Sequence, residues 1–171
     1  MKFVIYILAY VIFSVNPTIT KKKALKVGDK LPSFTLIDGY GKSFTSSDYF
    51  GKQPLVVFFY SKDNSPVCTT EVCSFRDSFE EFTKLNVKIV GISTDNAISH
   101  RKFSEKHNLP YMLLSDHSKR VVNLFGITKG RLKRTTYVTN KKGRIIYIYT
   151  NAKEGDKHAE EALNSLRVLL L

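Results

Sequence analysis

The stretch Leu55–Asp77, LVVFFYSKDNSPVCTTEVCSFRD, determines how the rest of the chain is interpreted. It opens with the continuous apolar run Leu55–Tyr60, which is typical of a central strand covered on both faces. A polar turn containing Pro66 follows. From there, apolar residues spaced three or four apart predict a long helix over Thr69–Leu85. This arrangement places Cys68 at the start of a helix.

The flanking segments predict alternating strands and helices. Leu31–Leu36 alternates apolar and polar residues and, with Ser43 and Phe44 beyond two turn glycines, predicts a hairpin. Further strands are expected over Val87–Ser93, Met112–Leu114, Thr135–Thr139 and Arg144–Tyr149, and helices over Ile98–His107, Val121–Leu124 and Ala159–Leu170. A strand, helix and strand in that order imply a parallel crossover. The predicted fold class is therefore α/β, with a mixed sheet flanked by helices.

Size and charge bound the classes of function. The 171 residues suffice for one domain with a full core, which we expect over residues 21–171. The net charge of +12 comes from 27 Lys and Arg against 15 Asp and Glu. The basic residues are dispersed, without a zinc-finger spacing or stacking aromatic platform, so we expect no specific nucleic-acid partner. The four histidines have no ligand spacing, so no metal site is expected.

The N-terminal segment has the pattern of a targeting signal. Lys2 precedes the uncharged, mostly apolar run Phe3–Phe13, which matches the apolar region of a secretory signal better than a membrane span of about 20 residues. We predict a signal peptide or presequence over residues 1–20, with an uncleaved anchor as the only expected membrane contact. The basic stretch after it is compatible with a second signal to a plastid reached through the secretory pathway. The alternative is an N-terminal strand and a cytoplasmic protein.

The position of Cys68 favours a reactive thiol. The unpaired amide groups at a helix N-terminus stabilise negative charge, so a lowered thiol pKa is expected there. A thiolate in this setting can attack a peroxide oxygen and form a sulfenic acid. The alternative, which the residues by themselves leave open, is an inert thiol in a loop.

Cys73 lies five residues after Cys68 on the same predicted helix. In an intact helix this spacing gives an axial separation of about 7.5 Å, whereas a disulfide needs Cα atoms within roughly 6.8 Å of each other. A bond between these two cysteines therefore requires the helix to unwind locally. The alternative is that Cys73 is a small core residue.

Many segments in the right order resemble the peroxiredoxin Q, or bacterioferritin comigratory protein, branch of the peroxiredoxins. The resemblance covers about Lys26–Leu166. The matching segments include Leu31–Leu36, Val56–Tyr60, Ser65–Glu71, Phe75–Asp77, Gly91–Ser93, Leu113–Asp116, Phe125–Gly126 and Arg134–Val138. The family resemblance implies a thioredoxin-like fold and a thiol peroxidase that needs no metal or organic cofactor.

The resemblance also implies roles for individual residues. Cys68 would be the peroxidatic cysteine and Cys73 the resolving cysteine, so that catalysis passes through a Cys68–Cys73 disulfide. Ser65 would supply a hydroxyl to the peroxide and thiolate, and Arg134 would be the distant arginine that returns to the site. We expect Glu71 to orient that arginine.

The implied partners are a hydroperoxide substrate and thioredoxin or a similar dithiol as reductant, acting on a monomer.

Two positions depart from the family pattern. Ser61 stands where proline is usual, and Val67 stands where glycine usually precedes the peroxidatic cysteine. Neither change removes a reacting group, but both alter the expected mouth of the pocket.

Two other classes of function are compatible with parts of the sequence. A thiol-disulfide oxidoreductase on a thioredoxin-like fold would use both cysteines, but such proteins place two residues between them, and here there are four. A basic binding module without enzymatic activity would use the positive charge alone. Fast oxidation by hydrogen peroxide alone would indicate a peroxidase and not a thiol-disulfide oxidoreductase.

Overall fold

A computed structural model gives the fold of residues 24–127 and 134–169. The strands are β1 (Thr35–Asp38), β2 (Ser43–Thr45), β3 (Leu55–Tyr60), β4 (Lys88–Ser93), β5 (Met112–Ser115), β6 (Arg134–Thr139) and β7 (Ile145–Thr150). The α-helices are α1 (Pro66–Asp77), α2 (Phe79–Lys84), α3 (Ala97–His107), α4 (Arg120–Leu124) and α5 (Lys157–Leu169). One turn of 3-10 helix spans Ser46–Tyr49.

The strands form one sheet in the order β2-β1-β5-β4-β3-β6-β7. β3 and β5 are both parallel to β4, whereas β6 and β7 continue the sheet in antiparallel fashion, as do β1 and β2 on the other side. The predicted mixed α/β sheet is therefore confirmed. The pairing of β3 with β6 places the last residue of β3, Tyr60, beside the first residue of β6, Arg134.

The strand β3 is buried along its whole length because the sheet is covered on both faces. Its side chains alternate between two cores, as the pleat of a strand requires. Phe58 faces the core that includes residues of α1, α3 and α5, while Phe59 faces the core that includes α4. The ring of Phe58 stacks on Phe75 of α1 at a centroid distance of 4.4 Å, which fixes α1 against the central strand.

The prediction of a single helix over Thr69–Leu85 is wrong in two respects. Helix α1 begins three residues earlier, at Pro66, whose fixed φ and missing N–H suit the first helical position. The helical run is also interrupted at Ser78, where ψ changes to 2°. The apolar spacing hides this break because Phe75 of α1 and Phe82 of α2 face the same core.

The predicted hairpin is present, but its first strand starts at Thr35 and not at Leu31. The backbone N–H of Phe34 donates to the hydroxyl of Ser46, and that hydroxyl donates to the carbonyl of Pro32. These side-chain bonds replace pairing between strands, although Leu31 and Phe34 are buried as the apolar pattern predicts.

The remaining predicted strands and helices are confirmed with boundary differences of one or two residues. In α5, Ala159, Ala162, Leu163 and Leu166 are buried as predicted, and Leu170 lies outside the described residues. The predicted signal over residues 1–20 also lies outside them. Within the part of the chain that the structure describes, no helix is long and apolar enough to cross a membrane.

Candidate active site

Cys68 is the third residue of α1, as the sequence predicts for a thiol at a helix start. Ser65 is the N-cap residue with extended backbone dihedral angles, and its side chain makes no capping hydrogen bond. The first turn of the helix therefore directs its backbone N–H groups towards this end. The Cys68 side chain is fully buried in the core beneath α1.

The sulfur of Cys68 is in contact with two polar side chains. Arg134 Nη2 lies 3.0 Å from Sγ and donates to it, and the hydroxyl of Ser61 lies 3.4 Å away. Burial raises the pKa of the Cys68 thiol, but hydrogen bonds from Ser61 and the backbone N–H of Lys62, together with the nearby Ser65 hydroxyl, more than offset this effect. The net pKa is lowered, which favours the thiolate.

Arg134 reaches the site from the first residue of β6, 66 positions away along the chain. Its backbone is fixed by pairing with Tyr60 at the end of β3. Its side chain is held by the carbonyl of Ala152, to which Nη1 donates, and by Glu71, whose Oε2 lies 3.0 Å from Nε. The guanidinium is therefore held on three sides, with one of its amino groups directed at Cys68.

Glu71 lies one turn after Cys68 and is fully buried. Burial raises its pKa well above the ordinary value, against the opposing effect of the Arg134 guanidinium. On its other side, His158 Nδ1 is 3.5 Å from Oε1. Burial lowers the pKa of His158, so at neutral pH this ring is uncharged and Arg134 is the cation that Glu71 faces.

Ser65 lies close to Cys68 but is oriented towards the loop. Its hydroxyl donates to the carbonyl oxygen of Lys62 at 3.1 Å, and its own carbonyl accepts from the N–H of Thr69. It still contributes to the lowered pKa of Cys68. The structure thus brings Ser65, Cys68, Glu71 and Arg134 together, as the sequence interpretation expects.

Cys73 is apart from this cluster. It is half-buried on α1, and its Sγ lies 3.7 Å from Nδ1 of His107 at the end of α3. Burial, with the charges of Lys106 and Arg76, lowers the pKa of His107, so the neutral ring can accept a hydrogen bond from the Cys73 thiol. Both cysteines are free thiols. A five-residue step turns the helix by about 140° beyond one full turn, so the two sulfurs point in different directions while α1 is intact.

Comparison with known proteins assigns the family. The model of the AhpC/TSA family matches residues 27–148, which is most of the chain. The chain belongs to the AhpC/TSA family. Within it, this peroxiredoxin is similar to proteins named peroxiredoxin Q and Bcp, which support thiol peroxidase activity and confirm the resemblance seen in the sequence.

The relatives of this peroxiredoxin include plant and bacterial proteins. It is 42% identical over 163 residues to the chloroplastic peroxiredoxin Q of Populus jackii, covering 91% of this chain and 74% of the relative. It is 39% identical over 152 residues to the peroxiredoxin Bcp of Bacillus subtilis, covering 84% of this chain and 96% of the relative.

Solved structures confirm the thioredoxin-like fold of this peroxiredoxin. The peroxidoxin BcpB of Mycobacterium tuberculosis superimposes with a TM-score of 0.79 at 36% identity, over 85% of this chain and 98% of the other. A cysteine-to-serine variant of PrxQ from Xylella fastidiosa gives a TM-score of 0.79 at 27% identity, over 88% of this chain and 100% of the other.

Two features of this part of the structure are missing from the sequence interpretation. Ser61 enters that interpretation only as a departure from proline, and nothing in its spacing indicates contact with Cys68. The second feature is a buried network around Asp63, whose carboxylate lies 3.0 Å from His100 Nδ1 and accepts hydrogen bonds from Tyr60 and Ser99. The only sequence signal for this network is a charged residue just after a buried strand.

Proposed function

We propose that this peroxiredoxin reduces hydrogen peroxide and organic hydroperoxides with Cys68 as the attacking thiolate. The observation that carries the proposal is the 3.0 Å contact between Arg134 Nη2 and the buried Sγ of Cys68 at the start of a helix. The thiolate attacks one peroxide oxygen, a sulfur–oxygen bond forms and the oxygen–oxygen bond breaks. Cys68 becomes a sulfenic acid, and the leaving oxygen takes a proton and departs as water or an alcohol.

Arg134 and Glu71 have separate roles in this step. The guanidinium cannot be deprotonated and offers several donors, so it holds the thiolate and stabilises the charge that develops on the leaving oxygen. Glu71 touches neither sulfur nor peroxide and acts by fixing Arg134 through the ion pair at 3.0 Å. In this proposal Ser65 rotates its hydroxyl from the Lys62 carbonyl towards the bound peroxide.

The second half of the cycle uses Cys73. The first turns of α1 unwind, Cys73 leaves its contact with His107, and its sulfur attacks the sulfenic acid. Water leaves and a Cys68–Cys73 disulfide forms. An external dithiol, thioredoxin or a similar protein, then returns both cysteines to the thiol form by disulfide exchange. No metal or organic cofactor takes part.

Stopped-flow reduction of hydrogen peroxide by the full-length reduced chain tests this cycle, with mass analysis of the products. Fast consumption that Cys68→Ser abolishes is expected. The Cys73→Ser variant should still consume one equivalent of peroxide but form no intramolecular disulfide. Amide hydrogen exchange in residues 66–77 should increase when the wild-type protein is oxidised, because the disulfide cannot form on the intact helix.

Two outcomes would reject the proposal. Reaction with peroxide no faster than that of a free thiol, combined with rapid exchange with a disulfide substrate, would indicate a thiol-disulfide oxidoreductase. A disulfide that forms without any increase in exchange across residues 66–77 would reject the unwinding step.

We further propose that residues 1–20 direct the chain into the secretory pathway or to a plastid reached through it, and that the domain over residues 21–171 acts as a monomer. The targeting pattern of the sequence and the chloroplastic relative named above support this destination. A fluorescent protein fused after residue 26 tests it, since diffuse cytoplasmic fluorescence would reject targeting. Sedimentation of the reduced protein tests the monomer.

A further inference from the structure

Ser61 occupies the mouth of the site, between solvent and the buried sulfur. It is the first residue after β3, and its side chain is exposed, whereas Cys68 is fully buried. Its Oγ lies 3.4 Å from Cys68 Sγ, within hydrogen-bonding range for sulfur. A hydroxyl can donate to a thiolate and can rotate to suit a second acceptor. Ser61 is therefore placed to contact both the sulfur and a peroxide that approaches it.

The backbone around Ser61 is fixed, so this contact does not depend on a freely moving loop. Tyr60, immediately before it, is paired with Arg134 in the sheet. Asp63, two residues later, donates its backbone N–H to the carboxylate of Asp95 at 2.8 Å, and its own carboxylate is buried against His100. The same pairing of β3 with β6 that places Arg134 at the sulfur also fixes the position of Ser61.

Ser61 supplies two donors that a proline at this position lacks. Its hydroxyl and its backbone N–H both lower the pKa of Cys68, against the effect of burial. A proline has neither a hydroxyl nor an N–H group. In this chain the sulfur has thus gained hydrogen-bond donors at the position where the family pattern would have an apolar ring.

We propose that Ser61 is a catalytic residue that donates a hydrogen bond to the Cys68 thiolate and, as the sulfur–oxygen bond forms, to the peroxide. This role rests on the proposed function of Cys68 and adds a further side-chain donor to Arg134 and Ser65. The hydroxyl proton of Ser61 is not transferred. The bond it makes shifts from sulfur to oxygen while the thiolate attacks, the oxygen–oxygen bond breaks and solvent protonates the leaving oxygen.

Three variants test the role of Ser61. Ser61→Ala removes the hydroxyl and keeps the N–H, Ser61→Pro removes both donors, and Ser61→Thr keeps both. The thiolate fraction is measured as the rate of iodoacetamide alkylation of Cys68 against pH, in the Cys73→Ser background so that one thiol reacts. Hydrogen peroxide reduction by the same variants is measured by stopped flow. Ser118→Ala, at an exposed serine between β5 and α4, is the matched control.

The Ser61→Ala variant should move the alkylation midpoint upward by about one pH unit and slow peroxide reduction about tenfold, since a hydrogen bond to a charged group is lost. Ser61→Pro should have at least the same effect on the midpoint. Ser61→Thr should restore both quantities, and Ser118→Ala should change neither. A midpoint and a peroxide rate both unchanged in Ser61→Ala would overturn the proposal.

The two readouts separate this inference from the proposed function. Alkylation reports the thiolate without any peroxide chemistry. A wild-type protein that fails to reduce peroxide would reject the peroxidase cycle, and with it the catalytic role of Ser61, even if the alkylation midpoint moves. A wild-type protein that reduces peroxide rapidly while Ser61→Ala matches it in both readouts would reject the role of Ser61 alone.

Discussion

The carboxylate of Glu71 and the guanidinium of Arg134 form a buried ion pair in which Oε2 and Nε are 3.0 Å apart. The same guanidinium lies 3.0 Å from the sulfur of Cys68. The one guanidinium therefore contacts both the Glu71 carboxylate and the Cys68 sulfur. These two groups repel each other when both carry negative charge. This arrangement predicts that replacing the acidic group of Glu71 weakens the positioning of Arg134 without weakening the Cys68 thiolate.

The Glu71→Gln substitution keeps the side-chain shape and removes the acidic group that pairs with Arg134. Arg134 loses its ion pair, so peroxide reduction should slow about tenfold, which corresponds to about 1.4 kcal/mol of transition-state stabilisation. Removing a negative group beside the sulfur should lower the pKa of Cys68 or leave it unchanged. Stopped-flow kinetics and the pH profile of alkylation measure the two effects, with Glu105→Gln at an exposed position of α3 as control. An unchanged rate of peroxide reduction would mean that Glu71 does not position Arg134, whereas a raised alkylation midpoint would mean that Arg134 leaves the thiolate once its ion pair is lost.

The Arg134→Lys substitution keeps the charge and removes the forked geometry of the guanidinium. A lysine ammonium cannot contact Cys68, Glu71 and the carbonyl of Ala152 with separate nitrogens. We expect peroxide reduction to fall roughly 100-fold, the size of effect seen when one preorganised donor is lost from a transition state. Arg144→Lys is the control, since Arg144 is exposed and donates to the carbonyl of Gly28. Full activity in Arg134→Lys would show that the positive charge alone suffices.

The sequence predicts the parts of this site that lie close together along the chain. The apolar run Leu55–Tyr60 and Pro66 place Cys68 at a helix start, and the structure agrees because burial and backbone geometry act locally there. Arg134 is different, because no spacing connects residues that are 66 positions apart. Only the family resemblance indicates it. Its contact with Cys68 arises from the antiparallel pairing of β6 with β3.

The break between α1 and α2 and the network around Asp63 show what a pattern cannot predict. The spacing of apolar residues indicates which side of a helix is buried. Because α1 and α2 bury their apolar residues in the same core, the spacing continues across Ser78 and does not reveal the break. Asp63 and His100 come from different elements, and their contact exists only after the sheet has formed and α3 has packed against it.

The Asp63–His100 contact makes stability depend on pH. Burial raises the pKa of Asp63, but the hydrogen bond and charge of His100, with Ser99 and Tyr60, lower it below the ordinary value overall. A carboxylate with a depressed folded-state pKa contributes stability above its unfolded value, near pH 3.8, and that contribution is lost as pH falls through the folded value. The stabilising effect of this carboxylate should therefore be complete at pH 7 and reduced at pH 3.

The Asp63→Asn substitution tests this dependence. Urea unfolding at pH 7 should show a loss of about 3 kcal/mol, since one partner of a buried pair is removed. At pH 3 the difference between wild type and variant should be smaller. Asp48→Asn, at an exposed carboxylate, should change stability little at either pH. An Asp63→Asn difference that does not shrink between pH 7 and pH 3 would show that the carboxylate is not ionised in the folded protein.

Gly155 lies directly against the backbone of α1, beside the residues that carry the chemistry. A Cβ at this position would come within 2.9 Å of the backbone nitrogen of Glu71 and would also contact the carbonyl oxygen of Val67. Backbone atoms of a helix cannot move aside singly, so the first turns of α1 would have to shift. Gly155→Ala should destabilise the protein by about 1–3 kcal/mol, the usual cost of overpacking.

Because the shift displaces Cys68 relative to Arg134, peroxide reduction should slow as well. Urea unfolding and stopped-flow kinetics measure the two effects, and Lys153→Ala, at an exposed position of the same loop, should leave both unchanged. Wild-type stability in Gly155→Ala would mean that α1 yields at its N-terminus without cost, and the reduced site would then be less rigid than its contacts imply.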